Sequence, residues 1–438
     1  MPRLFTTVLL ILGLASSTCA QTAKARPSAL DTIAESYVKL VLRIGLYDPD
    51  YVDAYYGPPE WKPAPLDSIQ VKKLPYAELS REANALLEQL GKVNAQKLSE
   101  IEHRRLIFLK AHLVSVKGRL DVLSGKKMKF DEESKALYGI VAPQYSVDTL
   151  EAILRELDTL LPGTGELPER VEAYRKQFIV PKDKVDTVFT VAIAEARRRT
   201  RAHITLPENE SFTVEYVTGQ SWAAYNWYKG NNHSLIQINT DLPTYISSPL
   251  GLACHEGYPG HHVQNVLIED QLLRGRGWVE FCVSPLYCPM SPLNEGAADY
   301  GIELAFPDSE RLAFERDALF PLAGLDSSKA DEYFRFRQLT KRLHGAGIEA
   351  ARRYLDGKAT RDETIAWLRK YTLRTEKEAE RNVRFDEHYR SYVIAYDVGE
   401  DMVKAYIETH AVALRSPERR WELLRDLFAI PHVPSDLQ

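Results

Sequence analysis

The chain has little sulfur: four cysteines and four methionines in 438 residues. So few cysteines cannot build the disulfide framework that staples small secreted folds. Cys19 lies in an N-terminal leader, which leaves Cys254, Cys282 and Cys288. Pairing of Cys282 with Cys288 would close a small loop; the alternative is that all three are small buried apolar residues. A surplus of basic residues is also missing, with 56 Lys and Arg against 61 Asp and Glu and a formal net charge of −5. That balance argues against nucleic acid as a partner, since a basic patch would be expected. Past the leader no apolar run is long enough to span a bilayer. There is no internal repeat, no low-complexity tract and no composition shift that marks a linker. These absences leave one mainly helical domain over residues 21–438, open to an arrangement as two lobes around a cleft.

What is present begins with Met1 to Ala20, which holds Arg3, an apolar run from Leu4 to Ala15 and Thr18-Cys19-Ala20. This reads as a signal peptide cleaved after Ala20, giving an exported product, periplasmic or secreted, with no stable membrane insertion. Lipoprotein anchoring through Cys19 is the alternative, against which Ser16-Ser17-Thr18 is a poor acylation context. The mature chain of 418 residues would carry a charge of −6, and the apolar fraction of 45% suffices for a real core.

Helical spacing recurs along the chain. Leu30, Ile33, Tyr37, Val41 and Ile44 follow it behind a capping Ser28, and Leu79 to Leu90 and Ile101 to Leu123 read as a long antiparallel pair. Asp148-x-x-Glu151 and Thr360-x-x-Glu363 read as capping boxes. Glu169 to Phe178, Asp183 to His203, Asp331 to Leu355 and Arg369 to His410 continue the helical run, with Arg197 to Arg199 as a solvated helix end. Tyr47 to Pro63 crowds four tyrosines and four prolines into a segment read first as a packed loop and second as an aromatic wall. Alternation over Phe212 to Val217 and Leu235 to Asn239 predicts two short strands. The aromatic stretch Ser221 to Gly230 between them, followed by His233, reads equally as a structural hairpin or as part of a site.

Chemistry concentrates in His255-Glu-Gly-Tyr-Pro-Gly-His-His-Val-Gln264, which holds three of the eleven histidines. His255-Glu256 opens like the H-E-x-x-H pattern, in which two imidazoles one turn apart bind Zn²⁺ and the glutamate acts on its water. The spacing differs. On an unbroken helix His261 would sit roughly 240° around from His255, and His262 about 10 Å along the axis, so neither pair chelates. Pro259 lacks an N–H and clashes with the carbonyl of His255, while Gly260 tolerates unusual backbone angles, so the helix should break and return one histidine to His255. His261 is the preferred ligand and His262 the alternate. Glu295 is the candidate third ligand, with Asp299 one turn on as the acid that orients His255 or His261.

The stretch from His255 to Gln264 resembles the H-E-x-x-P-G-H-H-x-Q motif of the DUF885 family of bacterial proteins, itself similar to gluzincin-type zinc metallopeptidases. Asn294-Glu-Gly-Ala-Ala-Asp299 resembles the gluzincin N-E-x-x-x-D segment. The resemblance implies a mainly α, zincin-like (gluzincin-like) metallohydrolase with a small β-sheet beside the metal-binding helix. It further implies His255, His261 and Glu295 as ligands and Glu256 as general base. Leu235 to Asn239 is then the candidate edge strand for pairing with extended substrate. Tyr396-x-x-Gly399 resembles a late Tyr-x-x-Gly element of the family. Tyr392 and Tyr396 are candidate donors to a developing oxyanion, with core tyrosines as the alternative, and Arg390 is a candidate receiver of a carboxylate.

Zinc is expected over non-haem iron, because Glu256 beside a ligand has a hydrolytic role and no role in oxygenation. The expected activity is cleavage of peptides or small amides. The competing expectations are hydrolysis of a non-peptide amide or ester, and peptide or metal binding without turnover. Nothing in the sequence fixes an oligomeric state or a cleavage preference.

Overall fold

The computed structural model describes residues 27–220, 222–412 and 416–438, so the leader and Cys19 lie outside the described residues. The fold is mainly helical with a small sheet. It opens with α1 (Ala29–Gly45), capped as expected: Ser28 Oγ accepts from Asp31 N at 3.2 Å and Ser28 N donates to Asp31 Oδ2 at 2.8 Å. A strand β1 (Val52–Tyr55) follows, then α2 (Tyr76–Gly91), α3 (Glu100–Leu123), α4 (Phe130–Tyr138), α5 (Val147–Leu160), α6 (Leu167–Lys176) and α7 (Val185–Arg201). The sheet strands are β2 (Ser211–Val217), β3 (Ala224–Gly230) and β4 (His233–Asn239). Next come α8 (Ser248–Leu252), α9 (His261–Leu267), β5 (Val283–Pro285), α10 (Met290–Ala305), α11 (Asp308–Phe314) and α12 (Phe320–Ala323). The chain ends with α13 (Ala330–Lys341), α14 (Gly345–Leu355), α15 (Arg361–Tyr371), α16 (Glu376–Tyr389), α17 (Ile394–Val412) and α18 (Pro417–Ala429).

Several expectations are corrected. Tyr47 to Pro63 is no plain loop: β1 pairs antiparallel with the distant β5, and Tyr56 donates to the Phe281 carbonyl at 2.7 Å. The sheet has three strands, in the order β2-β4-β3, with β4 parallel to β2 and antiparallel to β3. Leu235 to Asn239 is therefore central, its backbone groups spent on both sides, and β3 is the edge nearest the metal segment. Thr360 and Glu363 form their capping box, but Asp148 and Glu151 do not. Ser146 stands at that N-cap, and Glu151 instead accepts from Lys370 Nζ at 2.6 Å and Tyr371 Oη at 2.8 Å. The helix expected from Asp331 to Leu355 breaks after Lys341. Leu343 N and His344 N turn back to carbonyls three residues earlier, and Gly345 is packed so that a Cβ would fall 2.0 Å from the Tyr145 ring. Cys254, Cys282 and Cys288 are all buried free thiols, with no disulfide between Cys282 and Cys288. Burial pushes Cys254 and Cys282 up to about 12.

Two large hydrophobic clusters hold most of these elements, and a small third one, of Ala350, Leu368, Ala379 and Val383, joins α14, α15 and α16. Leu157, Val188, Ile246, Leu250, Val263 and Val266 belong to one large cluster, which surrounds the metal segment. Val38, Val41, Leu79, Leu109, Leu113 and Ile394 belong to the other, reaching Tyr392. Burying such side chains removes roughly 1.5–3 kcal/mol of exposure cost each. Between them α10 crosses α17 at backbone contact. A Cβ on Gly296 would fall 2.1 Å from the Gly399 carbonyl carbon, and one on Gly399 2.2 Å from the Pro292 oxygen. Only glycine permits that approach, which brings Tyr392 and Tyr396 beside Glu295.

Candidate metal centre

The helix begun at α8 widens into a π-type turn over Ala253–Gly257, breaks, and resumes as α9 at His261. Gly260 N donates to Cys254 O at 2.9 Å, and a Cβ on Gly260 would meet His255 O at 1.9 Å, so no other residue fits the return. The break sets the rings of His255 and His261 edge to face with centroids 4.7 Å apart. Both Nε2 atoms face Glu295 Oε2, from 3.3 Å for His255 and 3.5 Å for His261. One ligand atom from each of the three lies within 4.8 Å of the others.

The donor set fits a tetrahedral ion. Two atoms bound at about 2.0–2.1 Å to such an ion stand about 3.3–3.4 Å apart, close to the two His–Glu separations. The other ring atoms are tied down as a ligand requires: His255 Nδ1 donates to Asp299 Oδ1 at 2.8 Å, and His261 Nδ1 faces Gln264 Oε1 at 3.5 Å. Gln264 Nε2 in turn donates to Asn294 Oδ1, and Tyr392 Oη donates to the second oxygen of Glu295 at 2.9 Å.

The electrostatics are those of an acidic nest around two imidazoles. Burial depresses His255, but Asp299 and Glu295 carry its pKa well above the ordinary value, and Glu295 raises His261 in the same way. Burial opposes ionisation of Glu295, yet His261 and His255 hold its carboxyl far below the usual range. Burial raises Glu256 against the pull of both histidines. Glu256 is fixed from behind, its carbonyl accepting from Asn226 Nδ2 of β3 at 2.6 Å.

One acid here was not anticipated. Asp53 of β1 faces His261, Glu295 and Glu256, and burial pushes it up to about 7. Its Tyr- and Pro-rich surroundings gave no periodic signal, and only the β1–β5 pairing delivers it. Gln264 and Asn294, by contrast, stand inside the two motifs already singled out.

The alternate ligand His262 is excluded. Fully buried, it pairs through Nδ1 with Ser234 Oγ at 2.8 Å and through Nε2 with Glu210 Oε2 at 3.0 Å. Glu210 also accepts from Tyr258 Oη at 2.5 Å, from Arg197 at 2.6 Å and from Arg201 at 2.6 Å. Against the upward push of burial, His262, Tyr258 and Arg197 hold its carboxyl down to about 2. Arg197 is thus part of a buried knot as well as a solvated helix end. Arg390 is also corrected: its Nε donates to Glu133 at 2.7 Å, and it does not line the cavity, so it is not free to receive a carboxylate there.

His255, Glu256, His261, Glu295, Asp299, Tyr392 and Tyr396 all line one cavity of about 1230 Å³, which β3 borders from Ala224 to Tyr228. Tyr396 stands edge-on to Tyr392, with ring centroids 5.7 Å apart.

No family model and no curated protein matches the chain. A solved structure assigned as a lipoprotein from Colwellia psychrerythraea is similar over 81% of the chain, at 16% identity and a TM-score of 0.51. The chain spans 65% of that neighbour's length. A lipoprotein of unknown function assigned in Shewanella oneidensis is 12% identical, with a TM-score of 0.40 and coverage of 80% of this chain and 72% of that one. An M32 carboxypeptidase from Deinococcus radiodurans R1 is 14% identical, with a TM-score of 0.36 over 91% and 89% of the two chains. The first likeness shows a shared fold alone, and the other two carry neither fold nor function.

Proposed function

We propose that this chain is an exported zinc-dependent metallohydrolase of DUF885 type, a peptidase whose single domain forms two lobes around the cavity. The observation that carries the reading is the convergence of His255, His261 and Glu295 within 4.8 Å, with an acid base candidate, Glu256, beside them. When bound, a zinc ion there supplies Lewis acidity toward a water molecule and a carbonyl. Glu256 takes a proton from the attacking water and passes it to the leaving amine, a role suited to a carboxyl whose proton affinity burial has raised. Asp299 and Gln264 hold the two rings in the tautomer that presents Nε2 to the cavity. Tyr392 steadies Glu295, which leaves Tyr396 as the hydroxyl that donates to the oxygen on which charge develops. The edge of β3 is the surface for an extended peptide backbone, replacing the central β4. Export rests on the Met1 to Ala20 leader.

The test uses the purified chain, its metal content measured, and a peptide library digested with and without chelator. The expected result is about one zinc per chain, chelator-sensitive cleavage, and in Glu256→Gln full zinc content with turnover reduced about 10²- to 10⁴-fold. Equal activity in the variant refutes the base assignment. Zinc-dependent hydrolysis of esters or simple amides with no peptide cleaved would replace the substrate class and keep the centre.

A further inference from the structure

Asp53, Glu256, Glu295 and Asp299 face one part of the cavity, whereas another part of its wall is rich in arginine. Arg311, Arg337, Arg374 and Arg381 line the cavity. The last three, with Arg175, also line an adjoining pocket of about 430 Å³ that includes no residue of the metal centre. Three carboxylates face these five cations. Glu315 is shared between Arg311 Nε at 2.9 Å and Arg337 Nη1 at 3.2 Å. Glu378 is committed to the cap of α16, accepting from Thr375 N at 2.9 Å and Thr375 Oγ1 at 3.0 Å. Asp386 is buried and accepts from Asn382 at 3.0 Å; burial pushes it up to about 7, so it is only partly charged at neutral pH. Arg175 lies over the Tyr245 ring at 4.3 Å. Among the described residues no carboxylate comes within the 4.0 Å ion-pair distance of Arg374 or Arg381.

A guanidinium stays charged in a protein, and its forked N–H groups match a carboxylate two bonds at a time. Arg374 and Arg381 are half-buried, so each has lost part of its hydration without a carboxylate in ion-pair contact, and Glu378 and Asp386 act on Arg374 only from beyond that distance. We infer that Arg374 and Arg381, backed by Arg175 and Arg337, form a subsite for a carboxylate of the substrate while its reacting carbonyl lies at the metal centre. The reacting end rests on the hydrolase reading above; the subsite itself needs no turnover. In a peptide that carboxylate is either the C-terminus or an acidic side chain.

The experiment titrates zinc-loaded Glu256→Gln protein calorimetrically with three N-acetylated tripeptides. One is trialanine with a free C-terminus, the second its C-terminal amide, and the third an amide carrying one glutamate. The expected result is at least about tenfold tighter binding of one acidic probe than of the neutral amide. Which acidic probe wins names the source of the carboxylate. In Arg374→Gln/Arg381→Gln, with zinc content unchanged, the preference falls to within about twofold, and Arg374→Lys/Arg381→Lys restores part of it. The single glutamine variants, each expected to lose part of the preference, replace the pair if it unfolds. Equal binding of acidic and neutral probes, a preference that survives the glutamine variants, or no binding of any probe overturns the subsite. Arginine-dependent binding without cleavage by native protein would retain the subsite and remove the peptidase; cleavage indifferent to charge would do the reverse.

Discussion

His261 and His262 are neighbours in sequence and face opposite fates. His261 turns to a cavity where Asp53, Glu256, Glu295 and Asp299 outnumber two imidazoles. His262 turns inward to Ser234 and to Glu210, whose carboxylate is already answered by Arg197 and Arg201. Each site is a histidine set against a glutamate. What separates a cation site from a structural knot is whether the chain itself supplies the positive charge. Around Glu210 it does, and the cluster ties α7, β2, β4 and the metal segment together. Around Glu295 it offers only two imidazoles against the carboxyls of Asp53, Glu256, Glu295 and Asp299, and the surplus acid suits a divalent ion.

That contrast can be broken most severely at the open site. His255→Ala and Glu295→Gln should each abolish stoichiometric zinc binding and hydrolysis while the chain stays folded, read by metal analysis beside circular dichroism. A variant that keeps its zinc would remove the residue from the ligand set.

The closed site should respond in stability instead. Glu210→Gln should cost about 2–3 kcal/mol at neutral pH, tempered by the partial exposure of both arginines, while the folded fraction keeps its zinc. The effect has a pH signature. The native carboxyl titrates at about 2 against an ordinary 4.5, so its stabilisation is complete above about 4.5 and is lost as pH falls toward 2. Denaturant midpoints of native and variant protein should therefore converge as pH drops below about 4.5; a constant gap would mean that Glu210 acts by packing alone.

The smallest effect expected is at the residues that hold the ligands. Asp299→Asn and Tyr392→Phe should weaken zinc affinity about 10- to 100-fold, measured by competition with a chelator. Unchanged affinity in Asp299→Asn would leave the tautomer of His255 unsupported by that contact.

Much of the helical frame was legible, because its signals are local. Ser28 with Asp31, Thr360 with Glu363 and the apolar spacing of α1 to α3 depend on residues three or four apart. The break at Pro259-Gly260 was legible for the same reason, and it made His255 and His261 a pair before Glu295 was near them. The helix expected from Asp331 to Leu355 shows the limit of such reading. Its interruption answers to Tyr145, a ring from elsewhere in the chain that allows no Cβ at position 345.

The sequence alone determined the candidate ligand types, their spacing and the necessity of a broken helix, since steric and helical geometry act within a few residues. Tertiary structure alone decided that His262 serves Glu210, that β3 rather than β4 is the open edge, and that Arg390 is occupied by Glu133. It also brought Asp53 to the candidate metal centre and left Arg374 and Arg381 with no carboxylate within ion-pair distance among the described residues. Each of those outcomes depends on which charges and strands meet across long stretches of chain, and no local pattern encodes such meetings.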